Sequence, residues 1–174
     1  MTRRIQISVG AAILYPVLYF LDSTGWFYAL VPAICIHEAG HALALRGCGV
    51  RIIKLRIEIT GLCLDCAGLL HPRQEMLCAA AGPIAGFMWA AVLAGFYHPW
   101  AQLSSRLSLG LSLFNLMPFP TLDGGRILLA LSGDEKLVQR CGYGVLFLLV
   151  IGVVWGRHWV LAVPIFILLL QFKA

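Results

Sequence analysis

Long apolar runs separated by short polar turns set the pattern of this chain. Six of them approach the roughly 20 residues that an α-helix needs to cross a hydrocarbon core, at positions 5–21, 26–45, 75–97, 103–117, 137–155 and 159–172. The fourth and sixth are the shortest. Between the first two, Asp22-Ser23-Thr24-Gly25 is the kind of polar turn that joins antiparallel helices. The period changes after Gly47-Cys48-Gly49. Residues 50–59 alternate charged and apolar side chains, with frequent β-branching, which predicts a strand with one wet face. Thr60-Gly61 turns the chain, and residues 62–70 predict the returning partner of a hairpin. The predicted fold class is a membrane all-α protein, a bundle of six transmembrane helices with a small β-hairpin at the cytosolic membrane surface. It forms one domain over 1–174 with its core at 26–126, and no internal repeat, low-complexity segment or soluble domain is visible.

Composition supports the membrane assignment. Hydrophobic residues make up 60% of the 174 and charged residues 12%, against about 25% charged in soluble domains. That excludes an ordinary soluble protein and predicts an integral, multi-pass one. Arg3 and Arg4 ahead of the first run resemble the start of a signal peptide, but Tyr15, Pro16 and Tyr19 interrupt the run. No small-x-small cleavage site follows, so the run is read as a span. The formal charge of +5 is compatible with nucleic acid, yet its distribution points to topology. With the N-terminus in the cytosol and six alternating helices, Arg3, Arg4, Arg46, Arg51, Lys54, Arg56, Arg73, Arg126, Lys136, Arg140 and Lys173 fall inside, and Arg106 and Arg157 outside. This positive-inside bias puts both termini in the cytosol of an inner or plasma membrane, and makes the lipid bilayer, with no nucleic acid, the partner of the basic residues. The six cysteines all lie in the membrane or on the cytosolic side, where thiols stay reduced. Cys63 and Cys66 have C-x-x-C spacing, but a single pair reads as small apolar filler rather than a second metal site.

Two motifs carry the candidate chemistry. His37-Glu38-Ala39-Gly40-His41 stands in an apolar run, where ionisable groups are costly and persist mainly where they face a cavity, a metal or one another. On a helix the two imidazoles project from one face at zinc-ligand spacing. Glu38 lies beside them, able to reach water without taking a ligand position, as on a metalloprotease helix. His41 comes six residues before Gly47, roughly 9 Å of helical rise, so the site is submerged but near the inner face. The second motif, Asn115-Leu116-Met117-Pro118-Phe119-Pro120-Thr121-Leu122-Asp123-Gly124-Gly125-Arg126, ends the fourth run. Its prolines stop a helix and its glycine pair permits a tight turn. The topology brings Asp123 to the depth of the histidines. Two imidazoles and one carboxylate make three protein ligands and leave a fourth position for water, which marks catalytic rather than structural zinc. One Zn2+ per chain is the predicted cofactor.

In the third run, Ala79-Ala80-Ala81-Gly82-Pro83-Ile84-Ala85-Gly86 lets helices approach closely and bends at Pro83. His71 and His98, which flank it, read as loop or interface residues. The hairpin can hold an extended peptide by strand addition, with Ile53, Leu55, Ile57 and Ile59 as the candidate substrate-binding residues. The alternative is a non-hydrolytic zinc-binding membrane protein or a metal transporter. A transporter tends to show an inverted repeat and ligands at the bilayer midplane, and a scaffold has little need for Glu38.

On these motifs the chain resembles the site-2 protease family of intramembrane zinc metalloproteases. The resemblance rests on the sequence from His37 to His41, on Ala81-Gly82-Pro83 and on the stretch from Asn115 to Gly125, in the family's order and spacing, and covers about residues 26–126. It is most similar to the stage IV sporulation protease branch, which usually carries a cytosolic CBS domain after the last span. The sequence ends at Ala174, so neither a CBS nor a PDZ domain is expected. The resemblance implies that His37, His41 and Asp123 bind zinc, that Glu38 is the catalytic base and that Asn115 helps stabilise the oxyanion. It also implies hydrolysis within or next to a transmembrane segment of a membrane-tethered protein, such as an anti-sigma or transcription factor precursor. Oligomeric state is not implied. Gly86 departs from the family, where many relatives have Asn.

Overall fold

The computed structural model describes residues 5–58, 61–67 and 71–156. In chain order the elements are β1 (Ile5–Ile7), α1 (Val9–Leu21), α2 (Trp26–Gly47), β2 (Arg51–Glu58), β3 (Gly61–Ala67), α3 (Pro72–Ala94), α4 (Pro99–Asn115), α5 (Asp123–Ser132) and α6 (Glu135–Gly156). The sixth predicted run, 159–172, and Ile59 lie outside the described residues.

Among the described residues, α2 and α3 are the helices long and apolar enough to cross a membrane. Their 22 and 23 residues extend about 33–35 Å. The first predicted run divides. Ile5–Ile7 forms β1, parallel to β2, and only the 13 residues of α1 are helical. Ser8 makes the junction: its N–H donates to the Ile57 carbonyl at 2.9 Å, and its hydroxyl accepts from the Ala11 N–H at 3.2 Å to cap α1.

The helices α2, α3 and α4 pack against one another, α5 packs on α3, and α6 on α5. Small residues fill these contacts: Ala29, Ala33, Cys78, Ala79, Ala90, Ala101 and a row of serines on α4 are buried. Large apolar side chains such as Phe20, Leu43, Leu77, Ile84, Met88, Val92 and Phe147 are turned outward. Small inside and large outside is the arrangement expected where the surroundings are lipid. The α4 serines hold the bundle together. Ser104 donates to Ala29 O at 2.9 Å, Ser105 to Ala90 O at 2.7 Å and Ser108 to Gly86 O at 2.9 Å, bonds worth about 0.6–2 kcal/mol each between membrane helices. The approach is close at Gly86 as well. A Cβ there would lie 2.1 Å from Ser112 Oγ, so a side chain at this position requires the Ser112 hydroxyl to turn away.

Past Gly47, Cys48, Gly49 and Val50 close α2. Gly49 N–H reaches Arg46 O, Val50 N–H reaches Leu45 O, and Gly49 takes φ 74°. This hands the chain to the sheet, whose order is β1-β2-β3, with β2 and β3 antiparallel as the predicted hairpin. Because β2 is central, Leu55, Arg56 and Ile57 are already paired on both sides, and the edges belong to β1 and β3. His71 and His98 are N-caps, accepting from Arg73 N–H and Trp100 N–H to begin α3 and α4. Asp22 caps α2. Its carboxylate accepts from Phe27 N–H at 2.6 Å and from the Thr24 hydroxyl and N–H, and these bonds hold its pKa down at about 2.

Candidate metal centre

Three polar side chains meet inside this apolar bundle. His37 and His41 come from the buried face of α2, and Asp123 is the first residue of α5; their relative exposures are 3%, 8% and 6%. His37 Nε2 lies 3.1 Å and His41 Nε2 3.2 Å from the same carboxylate oxygen, Asp123 Oδ2, and the two Nε2 atoms lie 3.2 Å apart. The result is a nearly equilateral triangle of donor atoms. Ligands set tetrahedrally about 2.0–2.1 Å from zinc stand about 3.3–3.4 Å from one another, so the triangle has the size of one face of a zinc site.

Protonation sharpens the fit. His41 Nδ1 is 2.7 Å from the Cys78 carbonyl oxygen, which can only accept. Nδ1 therefore carries the proton, and Nε2 presents a lone pair to His37 and Asp123, the outer partner that a metal-ligating histidine ordinarily has. His37 Nδ1 is buried and has no partner among the described residues. His37 Nε2, His41 Nε2 and Asp123 Oδ2 thus face one another at separations that a shared cation would bridge. The residues present fit zinc. No other cluster of three or more His, Cys, Asp or Glu groups among the described residues could hold a metal.

The backbone around the site is shaped to admit these groups. The His41 ring lies against α3 at Gly82, where a Cβ would fall 2.2 Å from Nε2 itself. One residue before His41, Gly40 sits against Ala81, where a Cβ would lie 2.5 Å from the Ala81 carbonyl oxygen. The glycines after Asp123 serve the same need and do not make the tight turn expected of them. Both lie inside α5 without positive φ, and a Cβ would strike Leu116 O at 2.1 Å from Gly124 and Phe119 O at 1.8 Å from Gly125. The segment after α4 thus wraps over the start of α5. Phe119 and Leu122 anchor it, buried against Phe114, Met117 and, from α6, Leu146 and Leu149.

The other candidate residues are placed as follows. Glu38 is half-buried on α2, about 60° round the helix from His41 and 100° from His37, on the flank of the ligand face. Asn115 ends α4, and its Nδ2 donates to Leu111 O at 2.9 Å, four residues back. The amide nitrogen has a second hydrogen, which this bond leaves available to a substrate. Ile53 is exposed at the bulge of β2, and Leu55 and Ile57 are half-buried. Cys66 is half-buried in β3, and burial pushes its thiol pKa up, away from the thiolate a metal would take.

Sequence reasoning missed two groups of residues. Arg126, on α5, places Nη1 3.4 Å from Asp123 Oδ1 and both Nε and Nη2 2.8 Å from Glu75 Oε1 on α3. The serine row was the second; its signal was the helical spacing of Ser104, Ser108 and Ser112 within an apolar run.

No family model matches the chain. It is 31% identical over 130 residues to the protein of Mycobacterium tuberculosis named zinc metalloprotease Rip3, and 32% identical over 127 residues to a zinc metalloprotease of Methanocaldococcus jannaschii. Each alignment takes in 67% of this chain but 33% and 35% of the relative, so the chain spans about a third of the length of the curated relatives it matches. Among solved structures, the site-2 protease from Methanocaldococcus jannaschii superposes with a TM-score of 0.67 at 24% identity, over 95% of this chain and 87% of that one. The fold is therefore that of a site-2 protease.

Proposed function

We propose that this chain is the membrane-embedded core of a zinc metalloprotease of the site-2 protease family, cutting a peptide bond within or beside a transmembrane segment of a membrane-associated protein. The observation that carries the reading is the buried donor triangle, in which two α2 imidazoles and one oxygen of the Asp123 carboxylate converge on a common point inside the bundle. Similarity to two proteins named zinc metalloproteases supports the reading, as does the shared fold. The proline-rich form of the Asn115–Asp123 motif favours the sporulation branch within that family. The membrane orientation that agrees with the basic residues has both termini in the cytosol.

His37, His41 and Asp123 would hold the zinc. A zinc ion so held supplies Lewis acidity toward a carbonyl oxygen and brings the pKa of water to about 7. Glu38, on the flank of the ligand face, takes the proton of the attacking water and returns it to the departing amine. Asn115, oriented by the bond from its Nδ2 to Leu111 O, donates its second amide hydrogen to the oxyanion that develops on the scissile carbonyl. Asp123 needs only one oxygen for its ligand role, and the Cys78 carbonyl keeps the His41 lone pair turned inward.

A helical substrate hides its carbonyls in its own hydrogen bonds and has to unwind before attack. The extended form adds to an edge of the sheet. Since β2 is central, that edge is β3 or β1, and Ile53, Leu55 and Ile57 contribute side-chain contacts in place of backbone pairing. The substrates are membrane-tethered proteins such as anti-sigma or transcription factor precursors.

The test is the full chain reconstituted in liposomes with a membrane-tethered reporter, compared with Glu38→Gln. Wild type should release a fragment, and the variant should keep bound zinc while losing cleavage by at least about 100-fold, the lower range of general acid–base contributions. Equal cleavage by the variant refutes the assignment of the base. A wild-type chain that binds zinc and cuts no membrane substrate refutes the protease reading.

A further inference from the structure

The two oxygens of Asp123 have different neighbours. Oδ2 faces both imidazoles, and Oδ1 faces Arg126 Nη1 at 3.4 Å, three residues along the same helix. The guanidinium is itself held from the far side, where Nε and Nη2 both lie 2.8 Å from Glu75 Oε1. Glu75 stands in the first turn of α3, and Cys78, whose carbonyl orients His41, is one turn further on. One turn of α3 thus reaches two ligands from behind, one through a carbonyl and the other through Arg126.

We infer that Arg126 is a positioning residue for Asp123, with Glu75 as its anchor. The inference rests on the metal-site reading above. A carboxylate can rotate and offer a metal either one oxygen or two, and a cation fixed at Oδ1 leaves Oδ2 as the oxygen turned toward the histidines. Arg suits the task because its planar fork reaches two carboxylates in fixed directions, which a lysine ammonium cannot do. Glu75 is as necessary as the arginine. Arg126 without its anchor would close on Asp123 and compete with the metal for the carboxylate. Together, Asp123, Arg126 and Glu75 carry a net charge of −1, which favours a bound cation. The pair is about a third exposed and lines a surface cleft with Pro72, Leu129, Ala130 and Gly133, so water reaches the clamp from that side.

The experiment measures zinc affinity of the purified full chain in detergent by competition with a chromophoric chelator, together with the visible spectrum of the Co2+-substituted protein and the thermal midpoint. Wild type is compared with Arg126→Gln, Arg126→Lys, Glu75→Gln and the double exchange Glu75→Arg/Arg126→Glu. Arg126→Gln should bind zinc about 10–100-fold more weakly, the usual effect of losing a partner of a metal ligand, and should shift the Co2+ bands. Arg126→Lys should recover part of that loss, and Glu75→Gln should weaken binding as well. The double exchange should restore the thermal midpoint but not the affinity, because the carboxylate introduced on α5 would repel Asp123. Arg126→Gln with wild-type affinity and spectrum overturns the inference, as does a double exchange that restores both. Should Arg126→Gln fail to fold, Glu75→Gln and the double exchange decide alone. A wild-type chain that binds no zinc, or binds it equally with His41→Ala, sinks the metal-site reading itself.

Discussion

Gly82→Ala probes the site with a single methyl group. A Cβ at this position would fall 2.2 Å from His41 Nε2, 2.5 Å from Cε1 and 2.7 Å from Cδ2. An ordinary carbon–nitrogen contact is about 3.4 Å or longer, so the ring or the helix has to give by roughly 1.2 Å. Metal sites tolerate about 0.2 Å in ligand distance. His41 is held at its other nitrogen by Cys78 O at 2.7 Å, on the same helix as Gly82, so the ring cannot retreat without losing that bond too. The fold should suffer far less. Overpacking costs about 1–3 kcal/mol, and replacing a helical glycine by alanine returns up to about 1 kcal/mol. The expected outcome is a chain that folds, with a thermal midpoint within several degrees of wild type, and binds zinc at least about 100-fold more weakly, since an actual ligand is displaced and not only its outer partner. Gly110→Ala is the control: it lies in α4 with nothing within 4 Å of the added methyl, so zinc binding should be unchanged. Zinc affinity is read by chelator competition and folding by thermal denaturation monitored by circular dichroism. Gly82→Ala with wild-type zinc affinity would refute the placement of His41 against α3, and with it the donor triangle.

Two further outcomes follow from the same structure. Gly86→Asn should destabilise the protein by about 1–3 kcal/mol through overpacking against Ser112, and Ser112→Ala should relieve part of that cost; denaturation of the single and double variants measures both, and an additive pair refutes the contact. Asp22, held at a pKa of about 2 against an ordinary 3.8, contributes stability that is fully present above about pH 4 and lost as pH falls through about 2. Asp22→Asn should therefore remove part of the stability that wild type gains between those pH values, and identical acid-unfolding profiles for the two would show that the cap does not favour the charged carboxylate.

The readable part of the site was the local part. The i, i+4 histidine pair needs only a helix to bring both rings to one face, and Asp123 could be matched to it because the predicted topology puts both motifs at the same ends of apolar runs. The first turn of α5 was hidden because it contains two glycines, each about 1 kcal/mol worse than alanine in a helix. They suggested a turn, whereas their function is to let the Leu116 and Phe119 carbonyls approach. Strand β1 was absorbed into the first apolar run, since three residues are too few to show an alternation and its partner lies 50 residues away. Arg126 and Glu75 are 51 residues apart and share no motif.

The glycine positions share one physical origin. In a lipid-surrounded bundle, helix association gains little from burying large side chains, because lipid tails are as apolar as leucine. Close backbone approach has to supply the packing, and the identity of an interior residue is then set by the distance between backbones. Gly40 is small because Ala81 O is near, Gly82 because the His41 ring is, and Gly86 because Ser112 is. A search for chemistry-bearing side chains finds the ligands and passes over the positions that leave them room. At Gly86 the two considerations conflict: α3 has no side chain there, and the hydroxyl filling that space belongs to α4. Ser112 Oγ is buried there without a hydrogen-bond partner among the described residues, so shape was satisfied at this contact and polarity was not.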